Sequence, residues 1–325
     1  MLFFNPIFPG KKSNMLRSAP AVFFAPRTVV ITTLVSVVYL LMSVWLVGFK
    51  TDQLVLIAIF NGLYYSSGIT RKLITGFSIF IVFWIIFDYM KAFPNYTFRE
   101  VHIGALYRAE KALFGITTTT GRVTPNEFFR QHHFMAGDLL SGLFYLCWVP
   151  VPLLFAAYLF FRDRSLFLRF AITFFVVNMI GFVVYYIYPA APPWYVQEHH
   201  FNFIASTPGN TAGLQRFDEL VGVPVFQSLY AKSSNVFAAM PSLHSSYPVI
   251  VLYYGIKGRY RYASIVFAVI MAGIWSSAVY TSHHYVLDVL AGICCAVTGI
   301  FLVERAVSRP GWFSNFFDSY LHKII

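Results

Sequence analysis

The sequence predicts an all-α fold, a polytopic transmembrane helical bundle of about eight spans (six to eight), with further helices lying in the membrane interface. Three observations carry this. Of 325 residues, 58% are hydrophobic and only 11% charged. The mean hydropathy is +0.64, a composition that belongs to membrane proteins and excludes an ordinary water-soluble domain. Apolar runs approaching the ~20 residues that cross a hydrocarbon core recur along the chain. The net charge of +11 is read as basic residues flanking the spans, where they set orientation and touch anionic headgroups, so nucleic acid is not expected as a partner. Cys147, Cys294 and Cys295 all lie in apolar runs, which argues against a disulfide framework.

Residues 1–27 form a basic, proline-interrupted tail with Lys11, Lys12, Arg17 and Arg27. The transmembrane catalytic domain is expected over 28–305. Its first run, Thr28–Gly48, is long enough to remain as an anchor. Leu54–Gly68 is shorter and carries Asn61; Leu73–Tyr89 follows the Arg71-Lys72 pair. Residues 91–134 are more polar. Within them Val101, Ala105, Ala109, Ala112 and Leu113 recur at helical spacing opposite Glu100, Arg108 and Lys111, the pattern of a helix in the interface plane. Asn95-Tyr96-Thr97 is a glycosylation sequon, meaningful in a eukaryotic secretory membrane. Thr124-Pro125-Asn126-Glu127 reads as a capping box with proline at the first helical position, leading into a span at about Leu139–Phe161. Leu166–Tyr188 is the next span, ended by Pro189, Pro192 and Pro193, which cannot continue a helix. Residues 189–240 are a second loop segment with short helices. Pro241–Gly255, Tyr262–Tyr280 and about Tyr285–Val303 complete the spans, and 306–325 form a short aromatic tail.

Eight spans put both termini on one side. That side gathers Arg71, Lys72, Arg162, Arg164, Lys257, Arg259, Arg261, Arg305, Arg309 and Lys323 besides the N-terminal cluster, whereas the 281–284 loop has no basic residue. The positive-inside rule then makes the termini cytoplasmic and places both histidine clusters on the other face.

Those clusters are the candidate site. His284 and Asp288 are four apart, so on a helix they share one face with Cβ atoms about 5–6 Å apart. The carboxylate can hold one imidazole nitrogen as a donor and leave the other with its lone pair outward. A lone histidine at a span end is ordinarily a headgroup contact, but a carboxylate inside a span is costly unless it meets a polar cavity or partner. The same spacing suits two metal ligands. No third and fourth ligand stands at metal spacing, so neither metal nor other cofactor is expected. Pro241, Ser242 and His244 open another helix. Capping accounts for the first two and does not require His244, while the amides of that turn make an anion site. His132-His133 and His199-His200 are read as structural or headgroup-entrance residues on the same face. Asp138, near a span entrance, has no partner identifiable from sequence.

Ser242-Leu243-His244 and His284-x-x-x-Asp288 resemble the second and third motifs of the type-2 phosphatidic acid phosphatase superfamily. Ala239-Met240-Pro241-Ser242-Leu243-His244, His283-His284-Tyr285, Ala191-Pro192-Pro193-Trp194-Tyr195, Pro208-Gly209 and Gly213-Leu214-Gln215-Arg216-Phe217-Asp218 resemble its inositol phosphorylceramide synthase branch. The resemblance covers roughly residues 130–305. The phosphatases' first motif, a Lys six residues ahead of Arg-Pro, is absent: the only Arg-Pro is Arg309-Pro310. Ala278 stands where they carry an Arg before the third-motif histidine. Arg216, Ser242 and His283 are therefore the candidates for holding phosphate, with Lys232 behind them.

The resemblance implies an α-helical phosphatase-like core and double displacement. His284, oriented by Asp288, is the expected nucleophile, and His244 the expected acid and then base. The expected reaction moves inositol phosphate from phosphatidylinositol to ceramide or dihydroceramide through a phosphohistidine, releasing diacylglycerol. The partners are thus a phospholipid donor and a ceramide acceptor in a bacterial inner membrane or a eukaryotic secretory membrane. Two alternatives stand beside it: a lipid phosphatase with water as acceptor, and a non-enzymatic transporter or scaffold.

Overall fold

The computed structural model describes residues 24–119, 121–231 and 235–325. Most of the expected N-terminal tail and Lys232 lie outside the described residues. The chain divides into two compact units, Met1–Arg71 and Lys72–Ile325.

In the first unit, α1 (Pro26–Val47) and α2 (Thr51–Ser66) are joined by a short turn at Gly48 and followed by the start of α3 (Gly68–Tyr89). Gly48 sits at φ 79°, a conformation glycine adopts without penalty. The polar residue that sets Leu54–Gly68 apart has a partner within the unit: Asn61 Nδ2 donates to Ser36 Oγ at 2.9 Å. Thr32 and Tyr65 hydroxyls are 2.6 Å apart. Pairing of this kind lets polar side chains sit in an apolar helix pair.

The second unit continues through α4 (Gly104–Phe114), strands β1 (Ile116–Thr118) and β2 (Gly121–Val123), α5 (Pro125–Gln131), α6 (Met135–Leu146), α7 (Pro150–Arg162) and α8 (Arg164–Ile187). The loop helices α9 (Pro193–His199), α10 (Gln215–Val221) and α11 (Val225–Tyr230) come next. After them stand α12 (Leu243–Lys257), α13 (Arg261–Tyr280), α14 (Val286–Ser308) and α15 (Trp312–Ile324). β1 and β2 form one antiparallel hairpin, with Ile116 opposite Val123, which the sequence reading did not anticipate.

Helix α12 is the axis of this unit. It packs against α7, α8, α13 and α14. A helix that is apolar all round belongs in a core, and Ile250, Val251 and Tyr254 are almost completely buried. Its buried polar groups are paired: Tyr247 donates to Asn178 Oδ1 at 2.7 Å, and Tyr254 to Glu304 Oε1 at 2.9 Å. Glu304 is also ion-paired to Arg169 at 2.8 Å and to Lys257. A charge held in this way costs far less than an unpaired one.

Among the described residues, six helical segments are long and apolar enough to cross a membrane, within the expected six to eight. Other expectations change. The expected spans at α2 and α12 have only 16 and 15 residues. The expected Leu139–Phe161 span lies within one of the six, Met135–Arg162, but it is built of two helices, α6 and α7, broken ahead of Pro150, whose missing N–H interrupts the bonding ladder. The capping box at Thr124 is present, but its helix stops at Gln131 and does not run into the span. The sequon asparagine is buried. Asn95 is 0% exposed, with Nδ2 donating to the carbonyls of Tyr185 and Phe237, both at 2.9 Å. Residues after Ser308 do not trail away: α15 packs on α8 and α14 and buries Phe317 and Ile324.

Candidate active site

The two motifs meet at the openings of α12 and α14. Ser242 is the N-cap of α12, its hydroxyl accepting from the Ser245 amide at 3.3 Å. The Ser242 amide donates to the Asp288 carbonyl at 2.9 Å, and Ser246 Oγ donates to the Gly292 carbonyl at 2.7 Å. A Cβ on Gly292 would lie 2.2 Å from the Ser242 carbonyl oxygen. Glycine there is what lets the two openings touch.

The His283-His284 turn leaves α13 abruptly. Ser282 is at φ 61°, and the amides of His283 and His284 both donate to the Ala278 carbonyl, at 3.1 and 3.0 Å. This brings His284 Nε2 to 3.1 Å from His244 Nδ1, within hydrogen-bond reach. On its other side, His284 Nδ1 is 3.6 Å from Asp288 Oδ2, an ion-pair distance longer than a hydrogen bond. Asp288 Oδ2 instead accepts from the Tyr285 amide at 2.8 Å, so this carboxylate caps its own helix while facing the imidazole. His284 is 6% exposed. Burial pushes its imidazole down to about 4, opposed by a backbone hydrogen bond at Ala239. The ring is therefore neutral at pH 7, as a nucleophile requires.

The structure brings His244, His284 and Asp288 together and gives the three phosphate-holding candidates distinct settings. Ser242 is completely buried in its capping role. His283 has Nε2 2.9 Å from the Thr211 carbonyl, and its ring stacks on Tyr145 and Tyr230 at centroid distances of 5.4 and 4.7 Å. Burial holds it well below the usual histidine range. An Nε2–H donated to Thr211 leaves Nδ1 as a lone pair, so a neutral His283 walls the site and offers phosphate no N–H. Arg216 Nε is paired with Asp138 Oδ1 at 2.6 Å, and its guanidinium lies over Tyr280, 5.4 Å from the ring centroid. Its Nη2 is buried without a partner. Asp138 thus acquires the partners that the sequence could not name: Arg216, the Tyr280 hydroxyl at 3.0 Å, and His133 at 3.4 Å.

Three further residues come from outside the motifs. Tyr145 Oη is 3.3 Å from His244 Nδ1, and the Trp148 ring meets His244 edge-on at 4.4 Å. Asn126 Nδ2 donates to the Val279 and His284 carbonyls at 2.8 and 2.9 Å. In sequence, Asn126 is absorbed by the capping box, and the aromatic pair by an apolar run. No group of three or more His, Cys, Asp or Glu able to hold a metal ion occurs among the described residues.

A neutral imidazole backed by a carboxylate, with a second imidazole facing its lone pair, can form and break a bond to phosphorus and manage the accompanying proton. Similarity to known proteins agrees. The chain is 46% identical over 288 residues to phosphoinositol dihydroceramide synthase of Bacteroides thetaiotaomicron, spanning 88% of this chain and 94% of that one. It is 31% identical over 166 residues to inositol phosphorylceramide synthase of Candida albicans, 47% of this chain and 34% of that one. The inositol phosphorylceramide synthase catalytic subunit of Saccharomyces cerevisiae is 31% identical over 124 residues, 36% of this chain and 29% of its own length. No solved structure matches. Residues 106–302 match the PAP2 superfamily model, a stretch that contains both histidine motifs, and the chain belongs to that superfamily.

Proposed function

We propose that the protein is a sphingolipid synthase that transfers inositol phosphate from phosphatidylinositol to the primary hydroxyl of ceramide or dihydroceramide. The observation that carries this is the 3.1 Å approach of His244 Nδ1 to His284 Nε2, supported by the 46% identity to a phosphoinositol dihydroceramide synthase. Asp288 favours the tautomer of His284 with its proton on Nδ1, leaving the Nε2 lone pair to attack phosphorus. The N–P bond forms as the bond to the diacylglycerol oxygen breaks, and His244 gives that oxygen its proton. In the second half-reaction His244 takes the proton of the ceramide hydroxyl. The freed oxygen attacks phosphorus, and the N–P bond breaks to restore His284. The unpaired Arg216 Nη2 and the amino-terminal turn of α12 are the proposed holders of the phosphoryl oxygens, where donors stabilise charge that develops during transfer. In this reading Ser242 and His283 shape those donors.

The excess of basic residues on the terminal side supports cytoplasmic termini and chemistry at the opposite membrane face. The test is to incubate the purified protein with headgroup-labelled phosphatidylinositol, with and without ceramide or dihydroceramide. Label appearing in a ceramide product only with acceptor is the expected result. Release of free inositol phosphate regardless of acceptor would make it a phosphatase, and no turnover would point to the transporter or scaffold reading.

A further inference from the structure

The turn bearing His284 is gripped from both sides by one short stretch of chain. Glu110, on α4, is completely buried, and its carboxylate is held by backbone amides. Its two carboxylate oxygens accept from the Val286 and Leu287 amides at 3.0 and 3.1 Å. These are the first two residues of α14, lying between His284 and Asp288. Asn126, on α5 and also completely buried, grips the other side by donating to the Val279 and His284 carbonyls. Four hydrogen bonds from two side chains therefore hold the donors and the acceptors of a turn that has only a short connection of its own.

We infer that Glu110 and Asn126 are positioning residues that fix His284 against His244. The inference rests on the phosphoryl-transfer reading. A helix start carries unpaired amides and the positive end of the helix dipole. At α14 Glu110 occupies both: burial pushes its carboxyl up, and the hydrogen bonds from the Val286 and Leu287 amides oppose that. The same occupancy keeps an anionic phosphate off α14 and leaves it the opening of α12, beside His244. Neither side chain reaches the reacting nitrogens. Their effect is geometric: they set where the lone pair of His284 points.

The test uses the full chain in lipid nanodiscs with Glu110→Gln, Glu110→Asp, Asn126→Asp and the exposed control Glu100→Gln. Glutamine keeps one acceptor and turns an N–H donor toward an amide; aspartate keeps the charge and withdraws both oxygens. Displacing a reacting group by ~1 Å costs up to about a hundredfold. The expected result is therefore a large loss of kcat for diacylglycerol release in both Glu110 variants, with KM for the donor nearly unchanged. Hydrogen exchange at residues 285–288 should quicken in the same variants, and Glu100→Gln should match wild type in both readouts. A Glu110 variant with wild-type kcat, or exchange unaltered at 285–288, overturns the inference. If the Glu110 variants do not fold, Asn126→Asp decides it from the other side of the turn by the same two measurements. A wild type that transfers no headgroup sinks the proposed function instead, and the exchange arm then decides the positioning claim alone.

Discussion

His244 Nδ1 and His284 Nε2 face one another at 3.1 Å, so the lone pair proposed to attack phosphorus already has a hydrogen-bond partner. Substrate must take the place of that contact, and the two rings then stand on opposite sides of the reacting phosphorus. His284→Ala should abolish both diacylglycerol release and labelled phosphoenzyme. His244→Ala should lower the rate by about 10²–10⁴-fold, the usual worth of a general acid, while still trapping label on His284 slowly. Label on His244 in the wild type would reverse the roles.

Asp288→Asn tests the partner. Asparagine is isosteric and keeps an oxygen for the Tyr285 amide, so the helix cap survives while the charge facing His284 Nδ1 is lost. Removing that charge should lower kcat by roughly a hundredfold or more. Adding it to His284→Ala should cost little further, because residues acting as a unit are not additive. Additive losses would separate Asp288 from the mechanism.

Much of this site was legible because chemistry was written at fixed spacing. His284 and Asp288 at i and i+4, and His244 at a helix start, each announce a polar group where the chain is otherwise apolar. What could not be read is whatever depends on distant segments meeting. Asp138 looked solitary until the loop carrying Arg216 closed over it. Glu110 carries no motif in the sequence, and its place shows only where α14 presents two amides to it. The bundle was legible from apolar runs, but length misled at α12, a 15-residue helix that is buried within the protein. Periodicity could not foresee the break before Pro150, nor that the sequon asparagine would be consumed by two backbone carbonyls.

Gly292→Ala should damage the site without touching a reacting group. The new Cβ would meet backbone, the Ser242 carbonyl oxygen at 2.2 Å, and backbone cannot swing aside. Overpacking of this kind costs about 1–3 kcal/mol. Activity should fall more than stability does, because the strain separates His244 from His284. Wild-type turnover in this variant would show that the two helix openings have more slack than the structure indicates.

Asn95→Leu should lower stability by about 1–3 kcal/mol, the range for leaving a buried polar partner unsatisfied. Its amide ties the carbonyls of Tyr185, at the end of α8, and Phe237, just before the first histidine motif. Thermal unfolding in detergent measures the change. For the same reason, chains expressed in a eukaryotic secretory membrane should carry no glycan at Asn95 when folded, which intact mass can check.

The buried histidines fix the direction of the pH response. His284 falls from 6.5 in the ordinary state to about 4 when folded, and His283 falls in the same direction. As pH drops below about 6.5 the unfolded chain binds protons at these positions before the native one does, so the stability these two histidines contribute declines between about pH 6.5 and 4 and is level above that window. Unfolding measured from pH 8 to 4 should therefore show a loss that is smaller in His284→Gln. An equal loss in wild type and His284→Gln would mean that folding does not hold this imidazole neutral, and that the neutral nucleophile argued above is wrong.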